Sequence, residues 1–299
     1  MLNLDGIINV LKPSAMTSHD VVSYLRKTLN MKKIGHTGTL DPNACGVLPI
    51  CIGKATKIIE YIQYKNKKYR AEITLGSSTD TQDKYGKILE TSSKTVSDDE
   101  IIRIINSFKG KINQLPPMYS ALKKDGKRLY ELAREGKIVE RKTREIFIDN
   151  IDIISIKNNK IIFDVTCSKG TYIRTLCNDI GEKLGTFAHM SFLERLSVGE
   201  FNLENSYTLE EISSKNKNND LSFILPIDNA LEFMDKINLD KTFYKHISNG
   251  LNMRAERLGI INFKLNNKYR IYCNNKFIGI GLITLKNNEA ILKMDKVLV

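Results

Sequence analysis

Between residues 18 and 30 the apolar positions Val21, Val22, Leu25 and Leu29 recur at the spacing of one helix face, with Ser18 ahead of them as a capping hydroxyl. The pattern predicts a helix over 19–29 with one face packed on a core. A second helix is marked more fully: Ser97 and Glu100 have capping-box spacing, Ile101, Ile102, Ile104, Ile105 and Phe108 supply the apolar stripe, and Gly110 ends it. Strand-like runs cover 68–75, 88–90, 151–156 and 160–167. Helices and strands are thus interleaved along residues 1–200 and not sorted into halves, which predicts an α+β unit. The tract SSKNKNND at 213–220 has no apolar residue and no period, so a linker or surface loop is expected there. Beyond it YRIYC and KFIGIGLI flank Asn274 and Asn275, and AILKM follows Asn287 and Asn288. Asparagine tolerates positive φ, so both pairs suit two-residue hairpin turns, and a small β module is expected at the C-terminal end.

Length changes this picture little: 299 residues suggest about two domains, and the expected boundaries are 1–225 and 235–299. No apolar run approaches a membrane span, and the first sixteen residues lack a charged region followed by a long apolar core, so a mature, soluble, cytoplasmic chain is expected. Five cysteines, an odd number with no CxxC pair, support neither a disulfide framework nor a zinc knuckle.

Charge adds a partner class. The net charge of +12 favours polyphosphate through counterion release, although a lysine-rich composition alone would also produce it. The cations cluster at Lys65, Lys67, Lys68 and Arg70, at Lys123, Lys124, Lys127, Arg128 and Arg134, and at Arg141, Lys142 and Arg144. Tyr64, Tyr69 and Tyr130 lie among them. Cations for phosphates beside aromatics for bases point to nucleic acid.

Candidate chemistry narrows quickly. GVLPICIGKAT has six residues between Gly46 and Gly53 where a phosphate loop needs four, and Ala55 where Ser or Thr would bind magnesium. TDTQDKYG lacks the alternate carboxylates of a calcium loop and is expected to be a polar turn closed by Gly86. GHTGTLDP differs: Pro42 keeps Asp41 out of helical geometry, and Gly35, Gly38 and Gly46 let the chain bend around a single carboxylate. Asp-Pro also begins ordinary turns. In SKGTYIRTLCNDIG, Tyr172 and Arg174 stand at a strand-to-helix junction, where an arginine can hold a carboxylate ionised or form a plain surface ion pair.

GHTGTLDP followed by GVLPICIGKATK, KKYRAEITLGSSTDTQDKYG, QLPPMYSALKKDGKRLYELAR and CSKGTYIRTLCNDIGEKLG closely resemble, in order over residues 5–200, the bacterial tRNA pseudouridine-55 synthases of the TruB family. The resemblance implies a pseudouridine synthase fold: a mixed, mostly antiparallel sheet with flanking helices and a central cleft, followed by a small PUA-like β domain that binds RNA. It implies that Asp41 is the nucleophile, that Tyr69 stacks on the target uracil, that Tyr172 lies against the base and that Arg174 pairs with Asp41. It also implies that His36 contacts the RNA loop around an everted uridine and that Leu193 closes the pocket. Glu194 departs from the arginine expected beside Arg195, which puts one phosphate contact in doubt.

The implied reaction breaks the bond from uracil N1 to the ribose and joins C5 to the same ribose carbon. No atoms are gained or lost, so no metal, redox group or nucleoside triphosphate is expected. The aspartate can add covalently to base or sugar, or remove a sugar proton to give a glycal, and the sequence does not choose. A wall of Leu40, Leu48, Leu193 and the Tyr172 ring is expected to keep water out. The expected partner is the T arm of tRNA and the expected state a monomer. Two other readings stand beside this one: a non-catalytic RNA chaperone, which needs the cations and Tyr69 but no Asp41–Arg174 pair, and a cysteine-dependent methyltransferase through Cys45.

Overall fold

A computed structural model describes residues 4–299; the first three residues of the expected 1–225 unit lie outside the described residues. The chain opens with the almost wholly buried β1 (Gly6–Lys12), then α1 (Ser18–Thr28), β2 (Ile34–His36), β3 (Cys45–Ile52) and the short α2 (Ile59–Gln63). Next come β4 (Lys67–Leu75), β5 (Ser77–Thr79), β6 (Ile88–Thr91), α3 (Asp98–Asn106) and β7 (Gly110–Gln114). An excursion carrying β8 (Lys123–Lys124), β9 (Lys127–Arg128) and α4 (Leu129–Arg134) returns into β10 (Arg144–Lys157) and β11 (Lys160–Cys167). Then follow α5 (Ile173–Leu184), β12 (Ala188–Val198), β13 (Phe201–Asn202) and α6 (Leu209–Lys217).

In space the main sheet runs β1-β3-β12-β4-β11-β10-β7, with β2 beside β3 and β13 beside β12. All these pairings are antiparallel except β3 with β12. The two-residue period of a strand divides β4. Ala71, Ile73 and Leu75 face a core made with Ile101, Ile104 and Ile105 of α3 and Ile173, Leu176, Cys177 and Ile180 of α5. Arg70 and Glu72 face the other way, toward Asp164, Lys160 and Ser191. Burying each large apolar side chain contributes about 1.5–3 kcal/mol, so this layer fixes where β4 and α5 meet.

The C-terminal residues form a second sheet from β14 (Lys236–Leu239), β15 (Met253–Arg254), β16 (Lys268–Cys273), β17 (Lys276–Lys286) and β18 (Glu289–Val297), in the order β14-β16-β17-β18-β15; α7 (Tyr244–Ser248) lies between β14 and β15. Both asparagine pairs turn as expected: Asn274 and Asn275 have φ of 50° and 61°, Asn287 and Asn288 50° and 63°. The two sheets share one core, in which Ile280 and Leu298 pack with Ile7, Val47, Ile58 and Ile62.

Three expectations need correction. The cap of α1 is Thr17, whose Oγ1 accepts from Asp20 N while Asp20 Oδ2 accepts from Thr17 N at 2.8 Å; Ser18 is the first helical residue and its buried hydroxyl is used elsewhere. At Ser97 only the forward half of the box forms, with Oγ accepting from Glu100 N at 3.3 Å. The tract 213–220 is no linker: its first five residues end α6, which Thr208 and Glu211 cap reciprocally. Leu209 and Ile212 are its only buried positions, so the apolar signal lies ahead of the tract and the polar face that follows has no visible period. Asn216 Nδ2 also donates to Thr28 O at 3.0 Å, docking α6 on α1.

Candidate active site

Asp41 sits in the turn between β2 and β3, and the turn is held by groups from four directions. Thr37 donates from N and from Oγ1 to Pro49 O, both at 3.1 Å. Ser18 Oγ accepts from Leu40 N at 2.9 Å, pinning the residue before Asp41 to the start of α1. Lys12, buried at the end of β1, donates to Pro13 O, Met16 O and, at 3.1 Å, to Pro42 O, the residue after Asp41. Arg195, only 2% exposed, donates to Val47 O at 2.7 Å and to Gly38 O at 3.3 Å. Gly46 lets β3 approach this arginine: its φ is +108°, and a Cβ there would lie 2.7 Å from Arg195 N. Burial lowers the Lys12 pKa to about 8, with Arg195 adding to the effect and Cys45 and Asp41 opposing it. Two buried cations with backbone carbonyls as partners therefore shape the loop that carries the one carboxylate.

Arg174 reaches Asp41 from the first turn of α5. Its Nε lies 2.9 Å from Asp41 Oδ2, and its Nη2 donates to Asp41 Oδ1 at 3.3 Å. Nη1 donates to Thr81 O at 3.0 Å and Nη2 to Tyr119 O at 2.8 Å. The guanidinium thus uses all three nitrogens to tie together the Asp41 turn, the β5–β6 turn and the strand-free segment after β7. The TDTQDKYG stretch is a turn as expected, and it also supplies one of these carbonyls.

Exposure is unequal across the pair: 6% for the Arg174 side chain and 37% for Asp41. The expectation of a dry crevice is corrected accordingly. One side of the carboxylate is sealed by the arginine, and the other is open to an incoming ligand. Leu40 and Leu193 belong to the core on this side. Leu48 does not; it points from β3 to the opposite side, against Val21, Val22 and Leu25 of α1.

Tyr69 lies on β4 opposite Val165 of β11 and Arg195 of β12. Burial raises its phenol pKa, the Arg195 charge opposes this, and the Asp41 charge adds to it, so the ring stands within the field of both. Tyr172 is the N-cap of α5, two residues before Arg174. His36 ends β2, with Nδ1 buried and without a hydrogen-bond partner among the described residues; burial and then Arg195 hold its pKa below the usual histidine value. Asp41, Arg174, Tyr69, Leu193 and Leu40 thus converge, while Tyr172 adjoins them through the chain, two residues before Arg174, with its ring against Arg144.

Residues 26–173 match the family profile described as TruB family pseudouridylate synthase (N terminal domain), and residues 174–232 match that described as tRNA pseudouridylate synthase B C-terminal domain. The tRNA pseudouridine synthase B of Clostridioides difficile (strain 630) is 48% identical over 99% of this chain and 100% of its own length. That of Alkaliphilus oremlandii (strain OhILAs) is 48% identical over 99% and 98%. The chain belongs to the TruB family. Among solved structures, a Cbf5-Nop10-Gar1 complex has a chain that superposes with a TM-score of 0.77 at 27% identity, over 98% of this chain and 85% of that one. An H/ACA RNP bound to a substrate RNA containing 2'-deoxyuridine gives 0.75 at 25% identity, over 98% and 85%. The pseudouridine synthase fold expected from the sequence is therefore the fold of this TruB-family chain.

The departure at Glu194 also has a structural account. Along β12, Leu193 and Arg195 face the Tyr69 side, whereas Glu194 pairs in register with Arg70 and Cys45 on the other face. It raises the Arg70 pKa and the Cys45 pKa, behind larger effects from Asp164 and from burial respectively.

The first basic cluster is likewise largely committed within this TruB-family fold. Lys67 is buried with Nζ spent on backbone carbonyls, Lys68 and Arg70 pair with Asp164 at 3.3 and 2.8 Å, and Lys65 lies 3.6 Å from Glu200. The second cluster, on the excursion between β7 and β10, is mostly exposed. Apart from strand parity, local pattern gave no sign of Lys12, Gln114 or the structural role of Arg195, and it marked Ser18 as a cap and not as the acceptor for Leu40 N. The available signal was parity: Lys12 continues the buried series Ile8, Val10, and Arg195 follows Leu193 at strand spacing.

Proposed function

We propose that this chain isomerises the T-loop uridine of tRNA, position 55, to pseudouridine, with Asp41 as nucleophile. The Asp41–Arg174 pair carries the reading. A two-pronged guanidinium holds an ionised carboxylate in one orientation, and the exposed side of that carboxylate is where a ribose or base carbon must arrive. Tyr69 offers a ring to the everted uracil; stacking of about 1–3 kcal/mol offsets part of an extrusion cost of a few kcal/mol. Tyr172 lies against the other part of the base, Leu193 backs the pocket, and His36 meets the RNA loop as a neutral imidazole, its pKa being lowered. Exposed cations between β7 and β10 engage phosphates of the arm. The β module at 235–299 binds RNA outside the 1–225 catalytic unit, and the enzyme works as a cytoplasmic monomer with all five thiols reduced.

Since reactant and product are isomers, the chemistry asks of the protein only a nucleophile, orientation and exclusion of water once RNA is seated. A pure RNA chaperone would leave the Asp41–Arg174 pair without a use. The test is Asp41→Asn: tritium release or mass spectrometry on a T-arm stem-loop should show no pseudouridine, while binding of the same RNA persists. An active Asn variant would end this reading.

A further inference from the structure

Tyr172 is gripped from two sides. Gln114, wholly buried at the end of β7, makes a reciprocal pair with its backbone: Nε2 donates to Tyr172 O at 3.0 Å, and Oε1 accepts from Tyr172 N at 2.8 Å. Directly across the β7–β10 ladder from Gln114 is Arg144. Its guanidinium carbon lies 4.5 Å from the centroid of the Tyr172 ring. Arg144 Nε and Nη2 are buried without a hydrogen-bond partner, and Arg144 makes no ion pair among the described residues. On its far side is Gly170, where a Cβ would come within 3.4 Å of Nη1. The ring face thus defines where this cation sits, and a desolvated cation–π interaction is at the strong end of its class. Tyr172 itself has an extended backbone with φ −99° and ψ 112°, and its side chain makes no capping bond to α5. Nothing in its own helix fixes the ring, and the cation does.

We propose that Arg144, placed by the β7–β10 register beside a Tyr172 whose backbone Gln114 anchors, is a positioning residue that fixes the Tyr172 ring for the isomerisation and so governs the rate on bound RNA. The inference rests on the reading of Tyr172 as a contact to the target base. The experiment compares wild type, Arg144→Met, Arg144→Lys, Tyr172→Leu and the Arg144→Met/Tyr172→Leu double variant, using single-turnover pseudouridine formation on a T-arm stem-loop, the Kd for the same RNA across a salt series, and urea unfolding. Arg144→Met is expected to slow the single-turnover step about tenfold, with Kd unchanged and the unfolding midpoint lowered by no more than the loss of one cation–π contact, so that the protein is still fully folded in the assay. Arg144→Lys should recover most of the rate because an ammonium also binds the ring face. In the Tyr172→Leu background, Arg144→Met should cost nothing further, since the two act as one unit.

Additive losses would overturn the proposal. So would a weaker Kd with a salt slope reduced by about 0.7–0.9, the mark of a cation that had been neutralising a phosphate. Wild-type turnover on the same RNA separates the two levels: without it the proposed function falls and this inference with it, whereas with it an additive cycle removes only the clamp.

Discussion

Replacing Arg174 by methionine removes both of its bonds to Asp41 together with those to Thr81 O and Tyr119 O. The carbonyls lose a charged donor beside a guanidinium that is only 6% exposed, and each unsatisfied acceptor costs about 1–3 kcal/mol. Asp41 is 37% exposed and can rehydrate, so its share is small. The two carbonyls together make roughly 2–6 kcal/mol. Arg174→Lys separates anchoring from orientation, because an ammonium can serve Asp41 and one carbonyl but cannot present a fork. It should retain most of the stability. Loss of one charge-assisted bond at about 1.5–3 kcal/mol, felt in the transition state, would slow catalysis on the order of 10–100-fold. Urea unfolding gives the first quantity and single-turnover pseudouridine formation at saturating RNA the second. A methionine variant with the wild-type midpoint, or a lysine variant with the wild-type rate, would refute the argument that this guanidinium organises the site.

Gly46→Ala puts a Cβ 2.7 Å from Arg195 N on a residue with φ +108°; strain plus separation of β3 from β12 should cost about 2–4 kcal/mol and most of the activity, read by thermal unfolding and turnover. Lys12 has a folded pKa of about 8 against an ordinary 10.5, so the unfolded chain binds more protons between those values and wild-type stability should rise with pH there. The stability difference between wild type and Lys12→Met, in which other titrations cancel, should therefore move in favour of wild type from pH 8 toward 10.5 and be flat below about pH 7; a difference independent of pH would contradict the burial. For RNA affinity, Lys123→Ala with Lys127→Ala should flatten the log–log salt dependence by about 0.7–0.9 for each phosphate no longer neutralised. Lys68→Ala with Arg70→Ala should leave it unchanged, because those cations are paired with Asp164 on the face away from Tyr69; equal slopes for both double variants would reject that division.

Local pattern determined what local physics controls. The stripe at Ile101–Phe108, the run 160–167 and the asparagine pairs at 274–275 and 287–288 were legible because period and backbone preference act within a few residues. Family motifs marked Asp41 and Arg174 as partners. Parity and burial across the assembled sheet decided the rest. Leu48 looked like a pocket wall and belongs to the α1 core; Lys68 and Arg70 looked like phosphate contacts and serve Asp164; Lys12 and Arg195, which no local pattern singles out, are buried supports of the Asp41 turn. Which face of a strand meets the site depends on register with strands more than a hundred residues away, as Tyr69 on β4 meets Arg195 on β12. A cation's partner, carboxylate, carbonyl or ring, is fixed only when those strands pair, because the free energy that selects it comes from burial that exists solely in the folded sheet.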